Sequence, residues 1–185
     1  MSHRTALESL GLQALAVQRL VAYLDVLAHW GSRINLTGVS TDEDRVRVLV
    51  ASVLPALPLL RPGRLIDVGS GNGSPGLVFA ALCDEIEVTL LEPRLKRWAF
   101  LREAARVMQR PGVSARRDRH DTYSGPQAQT VTLRALRLPL GKLAPLVQDG
   151  GRLLVFGGQP EPGEGFAEEP AAGGLTCRVF RRCST

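Results

Sequence analysis

At 185 residues the chain has the size of one ordinary domain, large enough to bury a core, and its formal net charge of +5 favours a polyanionic partner. Three cysteines, Cys83, Cys177 and Cys183, form no CxxC pair and no His/Cys zinc spacing, which excludes a disulfide scaffold and a bound metal and leaves reduced thiols. No apolar run reaches the roughly 18 residues of a membrane span, and the N-terminal stretch lacks the charged, apolar and cleavage-site succession of a leader. A soluble, cytoplasmic monomer without membrane contact is expected.

Val17, Leu20, Val21, Leu24 and Leu27 recur at helical spacing and predict a helix from about Gln13 to Trp30. Ser40 with Glu43 three residues on reads as a capping box, opening a second helix through Val46, Val48, Leu49, Val50 and Val53 toward Pro55. From Arg64 the pattern alternates: strands at 64–69, 86–91, 112–116, 129–133 and 151–156, with helices at 75–84, 95–109 and 139–148. This alternation predicts an α/β fold with a doubly wound, mostly parallel sheet over 64–185, preceded by a helical cap over 1–60, in one domain. Gly157 to Gly174, rich in Gly, Pro and Glu, reads as a mobile loop, and Leu175 to Arg182 as a closing antiparallel strand.

The most informative stretch is Leu65-Ile66-Asp67-Val68-Gly69-Ser70-Gly71-Asn72-Gly73-Ser74-Pro75-Gly76, a buried strand running through a glycine turn into a helix start. Its D-x-G-x-G-x-G pattern resembles motif I of the S-adenosylmethionine (SAM) methyltransferases. The same letters contain G-x-G-x-x-G at Gly71, Gly73 and Gly76, the fingerprint of NAD-binding folds, so the glycines alone leave both cofactors open. Asp67 favours SAM, because an acidic residue two before the first glycine suits a cofactor with a cationic amino acid moiety and no phosphate. Glu92 ends the next strand, where a carboxylate accepts both hydroxyls of a ribose and repels a 2′-phosphate. An NAD-type fold is also expected to continue with further βα units in place of the closing strand.

Of the 23 basic residues only Lys96 and Lys142 are lysines. Arginine binds phosphate through two N–H groups and stacks on bases, so such a surface suits RNA, although a GC-rich genome produces the same bias. Basic residues crowd the stretch from Arg94 to Arg119, where only Glu103 and Asp118 are acidic. On a helix Arg94, Arg102, Arg106 and Arg110 share one face, with Trp98, Leu101, Ala105 and Met108 toward the core. That face is either a solvated stripe or an RNA contact.

Four segments then occur in order: Trp30-Gly31-Ser32-Arg33-Ile34-Asn35-Leu36-Thr37, the glycine turn, Leu90-Leu91-Glu92-Pro93-Arg94-Leu95-Lys96-Arg97 with Phe100-Leu101-Arg102, and Leu133-Arg134-Ala135. Together they resemble the RsmG (GidB) family, which uses SAM to methylate N7 of a guanine in small-subunit ribosomal RNA. The resemblance covers about residues 15–158. It implies a Rossmann-like methyltransferase fold, SAM as cofactor, and ribosomal RNA or the small ribosomal subunit as partner. It further implies cofactor contacts from Asp67, Gly69, Ser70, Gly71, Gly73, Ser74, Glu92, His120, Asp121 and Arg134. Arg134 is expected beside the methyl donor and the target base, as the catalytic group. Arg33, Arg47, Arg94, Lys96 and Arg97 are the expected RNA contacts.

The chain departs from the family pattern at several points. Its second N-terminal helix reads Arg47-Val48-Leu49-Val50-Ala51-Ser52, with Val48 and Ala51 where His and Asp are usual. Ser74 replaces Phe or Leu, Leu133 replaces the Ser before Arg134, and Gly157 replaces a lysine. A relative that binds SAM or RNA without methylating is therefore the alternative to an active enzyme, and an NAD-dependent oxidoreductase the more distant one.

Overall fold

The computed structural model describes residues 2–158, 163–170 and 173–183. Three helices come first: α1 (His3–Glu8), α2 (Ala14–Gly31) and the single turn α3 (Asp42–Arg45). The expected capping box sits one residue later than Ser40 and Glu43, since Thr41 accepts from Asp44 N–H at 3.1 Å and its hydroxyl bonds the Asp44 carboxylate at 2.8 Å. The expected single helix after it is also broken up. A π-turn (Val46–Val50) passes into a 3₁₀ stretch (Ala51–Leu59), whose Pro55 and Pro58 each lack the N–H that an α-helix would use. His3 clasps this cap together, with Nδ1 2.8 Å from Asp25 on α2 and Nε2 3.0 Å from Asp42 on α3.

The α/β part follows as β1 (Gly63–Val68), α4 (Gly76–Leu82), β2 (Ile86–Leu91), α5 (Leu95–Val107), β3 (Val113–Arg116), β4 (Ala128–Arg134), β5 (Val147–Phe156), β6 (Phe166–Glu169) and β7 (Cys177–Arg182). The sheet order is β3-β2-β1-β4-β5-β7-β6, parallel through β5 and antiparallel at both pairings of β7. The expected doubly wound sheet and closing antiparallel strand are thus present. Two expectations change. The segment 139–148 is not an α-helix but a 3₁₀ turn (Leu140–Leu146), because Pro145 interrupts it and β5 begins two residues later. Part of the expected mobile loop is strand: Phe166–Glu169 pairs with β7, with Arg152 and Arg181 each 3.0 Å from Glu169. Residues 159–162 and 171–172 of that loop lie outside the described residues.

One sheet face is covered by α2, α4, α5 and the cap, around fully buried Tyr23, Phe79 and Phe100. The opposite face is thinner, with Ile66, Val131 and Leu153 packed against Leu140 and Leu143 of the 3₁₀ turn. Trp30 joins α2 to α5, since its Nε1 donates to Glu103 at 2.8 Å and its ring meets Phe100 edge-on at 6.3 Å.

Arg110 does not belong to the solvent-facing stripe expected for it. The chain leaves the helix at Val107, and Gln109 adopts a positive φ of 48°, which swings Arg110 inward to 8% exposure. Its guanidinium donates to the carbonyls of Ala80, Cys83, Asp84 and Ile86 at 2.8–3.0 Å, closing the C-terminal end of α4. Arg110→Met should therefore strip buried carbonyls of their donor and lower stability by about 2–4 kcal/mol. A urea-unfolding midpoint equal to that of the wild type would remove this role.

Candidate cofactor site

Strand order reverses between β1 and β4, and the crevice beyond the carboxyl ends of these strands is where open α/β sheets bind ligands. The glycine turn leaves β1 at that point. Gly69 and Ser70 N–H both bond the Leu91 carbonyl of β2, at 2.9 and 3.0 Å, and Gly73 N–H bonds the Ser70 carbonyl at 2.6 Å. Gly73 has φ +94°, and a Cβ there would lie 2.6 Å from Leu77 Cδ1 and 3.0 Å from Tyr23 Cε2, so only glycine fits. Tyr23 holds the turn from beneath, its hydroxyl donating to the Asn72 carbonyl at 2.8 Å. Burial pushes the Tyr23 hydroxyl far above its usual range, which keeps it a proton donor.

Glu92 stands at the end of β2, only 3% exposed, with one carboxylate oxygen accepting Gly71 N–H at 3.1 Å and the other Arg94 N–H at 2.9 Å. Each oxygen keeps a second acceptor position for a ligand hydroxyl. Asp67 lies deeper, at 1% exposure, inside β1. Its Oδ1 accepts from Thr132 of β4 at 2.6 Å, which ties the two strands at the switch point, while Oδ2 is buried without a partner among the described residues. Burial pushes its carboxyl up to about 6, against the Thr132 bond that lowers it.

A cavity of about 220 Å³ opens beside the turn, walled by Val68, Gly69, Leu91, Pro93, Leu136 and Leu138 and by Asp118, Arg119 and His120. His120 Nε2 is buried and has no partner among the described residues. The neighbouring Asp121, by contrast, is exposed and bonds Arg119 through both oxygens at 3.0 Å, away from the cavity wall. Asp118, Leu136 and Leu138 were not singled out from the sequence. The loop after β4 carries no motif, and only the positive φ of Ala135, 53°, aims it back over the turn. Leu136 comes so close that a Cβ on Gly69 would lie 2.9 Å from its Cδ2.

Arg134 ends β4, half-buried, and joins the turn to the cap. Its Nη1 donates to Ser74 Oγ at 2.6 Å, and its Nη2 to the Val48 carbonyl at 2.7 Å and Ser52 Oγ at 3.2 Å. Ser74 Oγ donates onward to the Leu49 carbonyl at 2.6 Å. Partial burial lowers the Arg134 pKa, yet a guanidinium stays charged. The π-turn is what presents the Val48 carbonyl here, and a backbone oxygen is unaffected by the change from His to Val48. Ser70 turns inward, its hydroxyl on the Asp67 carbonyl at 2.9 Å.

The expected RNA contacts divide into two groups. Arg94, Lys96 and Arg97 form the first turn of α5 and its lead-in, next to Glu92, with Arg97 Nη2 on the Asn35 carbonyl at 3.2 Å. Arg33 is exposed just before that carbonyl, whereas Arg47 is paired with Asp44 at 2.6 Å on the cap's outer side.

Sheet order, glycine turn and terminal carboxylate define a Rossmann-like methyltransferase fold. Solved structures agree: a point mutant of MtNAS in complex with S-adenosylmethionine superimposes with a TM-score of 0.62 over 92% of this chain and 78% of that one, at 15% identity. A putative methyltransferase from Escherichia coli gives 0.58 over 82% and 92%, at 16% identity. More specifically, the chain belongs to the GidB family, rRNA small subunit methyltransferase G, whose family model matches residues 16–171. Relatives named ribosomal RNA small subunit methyltransferase G include one from Paramagnetospirillum magneticum, 37% identical over 80% of this chain and 74% of the relative. One from Coxiella burnetii strain RSA 493 is 31% identical over 84% and 76%.

The raised Asp67 value carries a pH signature. The unfolded chain has an aspartate near 3.9, so folding disfavours the ionised form. The site's contribution to stability then falls as pH rises from about 4 to about 6 and is flat above. Asp67→Asn should abolish this segment of the stability profile. Urea midpoints at pH 5 and pH 7.5 test it, and identical pH dependence in both proteins would show that Asp67 does not titrate as described.

Proposed function

We propose that this protein is a SAM-dependent methyltransferase acting on N7 of a guanine in small-subunit ribosomal RNA. The observation that carries the reading is Glu92, a buried carboxylate fixed at the end of β2 beside the glycine turn and the 220 Å³ cavity. The donor set fits the cofactor. Val68, Leu91, Pro93, Leu136 and Leu138 offer an apolar slot for adenine, Glu92 accepts the ribose hydroxyls, and His120 lies at the slot's polar rim. The unpartnered Oδ2 of Asp67 supplies negative potential beneath the turn for a cationic amino acid moiety. In this reading Gly69, Ser70, Gly71, Gly73 and Ser74 contribute backbone, and Asp121 acts only by holding Arg119.

When bound, the cofactor supplies an electrophilic methyl group to the N7 lone pair. Guanine N7 is unprotonated at neutral pH, so the chain needs no general base, only alignment. Arg134 retains N–H groups beyond those spent on Ser74, Val48 and Ser52, and a guanidinium at the mouth of the crevice reads guanine O6 beside N7. Arg33, Arg94, Lys96 and Arg97 would meet RNA phosphates on the same side, Arg47 after exchanging Asp44 for a phosphate. In this reading the protein works as a cytoplasmic monomer.

Labelled SAM with undermethylated small subunits should give RNA carrying an aniline-cleavable N7-methylguanosine, and absence of label would overturn the reading. Binding without transfer is the second reading, favoured by Arg134 being engaged with protein acceptors. Calorimetric SAM binding with no label transferred would select it. Glu92→Ala should weaken SAM binding by about 1–3 kcal/mol, the cost of underpaired buried hydroxyls. Unchanged affinity in calorimetry would take Glu92 out of the site.

A further inference from the structure

A groove of about 590 Å³ lies between the second half of α5 and the outer edge of β3, lined by Arg102, Arg106, Gln109, Val113, Ser114 and Ala115 among others. It is separate from the cofactor cavity and no carboxylate lines it. We propose that it is a track for the phosphate backbone of the substrate RNA, with Arg102 and Arg106 as its phosphate contacts. This rests on RNA being the substrate and adds a docking surface remote from the reacting base.

Charge on this flank is concentrated by what neutralises its neighbours. Arg116 is 3.3 Å from Asp118, Arg119 pairs with Asp121, and Arg110 beneath the groove is spent on carbonyls and on Asp84 at 3.2 Å. Among the described residues Arg102 and Arg106 have no carboxylate within 4.0 Å, and both are exposed. The Arg102 guanidinium carbon lies 4.8 Å from the centroid of the Trp98 ring, a cation–π contact that steadies the side chain and leaves N–H groups for a phosphate oxygen. The same indole donates to the Ala115 carbonyl at 3.1 Å. The carbonyls of Gly112, just before β3, and of Arg116 at its end accept Val88 and Glu92 N–H, so alternate groups face outward, and Trp98 covers one outward acceptor, the Ala115 carbonyl.

A protein partner would use a large apolar anchor, and no aromatic, leucine or methionine side chain lines the groove. Continuity favours RNA. Arg102 and Arg106 lie one turn apart on α5, and Arg94 stands at the N-terminal end of the same helix, just after Glu92.

The test compares the full-length wild type with the double variant Arg102→Gln, Arg106→Gln, using a small-subunit ribosomal RNA transcript across a salt series. Removing two phosphate contacts should lower the magnitude of the slope of log K against log salt by about 1.4–1.8. RNA affinity should fall about tenfold or more at low salt, with SAM affinity and thermal midpoint unchanged. A control removing two exposed charges elsewhere, Arg4→Gln with Arg61→Gln, should keep the wild-type slope. An unchanged slope in the Arg102/Arg106 variant, or an equal drop in the control, overturns the track. Wild-type protein that binds RNA through these arginines but transfers no methyl group sinks the proposed reaction and leaves the track standing. Wild-type protein with no salt-dependent RNA binding sinks both.

Discussion

The carboxylate of Glu92 is the constraint on which the site depends. Gly71 and Arg94 are far apart in the chain, yet their N–H groups share this one side chain at 3.1 and 2.9 Å. The first contact fixes the glycine turn against the sheet, and the second fixes the start of α5, so one side chain sets the angle between the turn and the basic helix. Burial at 3% exposure makes it effective, because each hydrogen bond is stronger where water is excluded.

Asp67 does the equivalent work on the other side of the turn, through Thr132. Glu92 pins the turn at the end of β2, Asp67 ties β1 to β4 beneath it, and Arg134 then connects β4 to the cap. Two departures from the family pattern, Val48 and Ser74, fall on this last connection without breaking it. Ser74 bridges Arg134 to the Leu49 carbonyl, Ser52 is retained, and the Val48 contact is made by backbone. With Val48 and Ala51 in these places the guanidinium hydrogen-bonds neutral acceptors only, and the buried Asp67 carboxylate is the negative charge that acts on it.

What could be seen in the residues and what could not have separate physical causes. The sheet was legible because its strands are buried runs bounded by glycine and charge, and the turn because D-x-G-x-G-x-G has few structural solutions. The cap's second helix departs from the periodicity of Val46 to Val53, because Pro55 and Pro58 interrupt the helical ladder and the Val48 carbonyl bonds the distant Arg134 instead. Phe166–Glu169 escaped notice because glycine and proline on both sides outweighed four residues that become strand only when β7 offers an edge. Near the turn, the position of Glu92 at the end of β2 is legible from spacing. Asp118, Leu136 and Leu138 are not, since their placement depends on how two loops return to the sheet. Arg110 followed the helical register of the arginine stripe in sequence and left it in space, because a single positive φ at Gln109 ended the helix first.

Tyr23 belongs to the cap, yet its hydroxyl holds a carbonyl of the glycine turn, and its ring fills the space that makes glycine obligatory at position 73. Cap and turn are therefore one mechanical unit. Any ligand that displaces the cap must disturb the turn, and any ligand that orders the turn must steady the cap. Thermodynamic reciprocity then requires occupancy at the two places to be linked by a single free energy, the same in either direction.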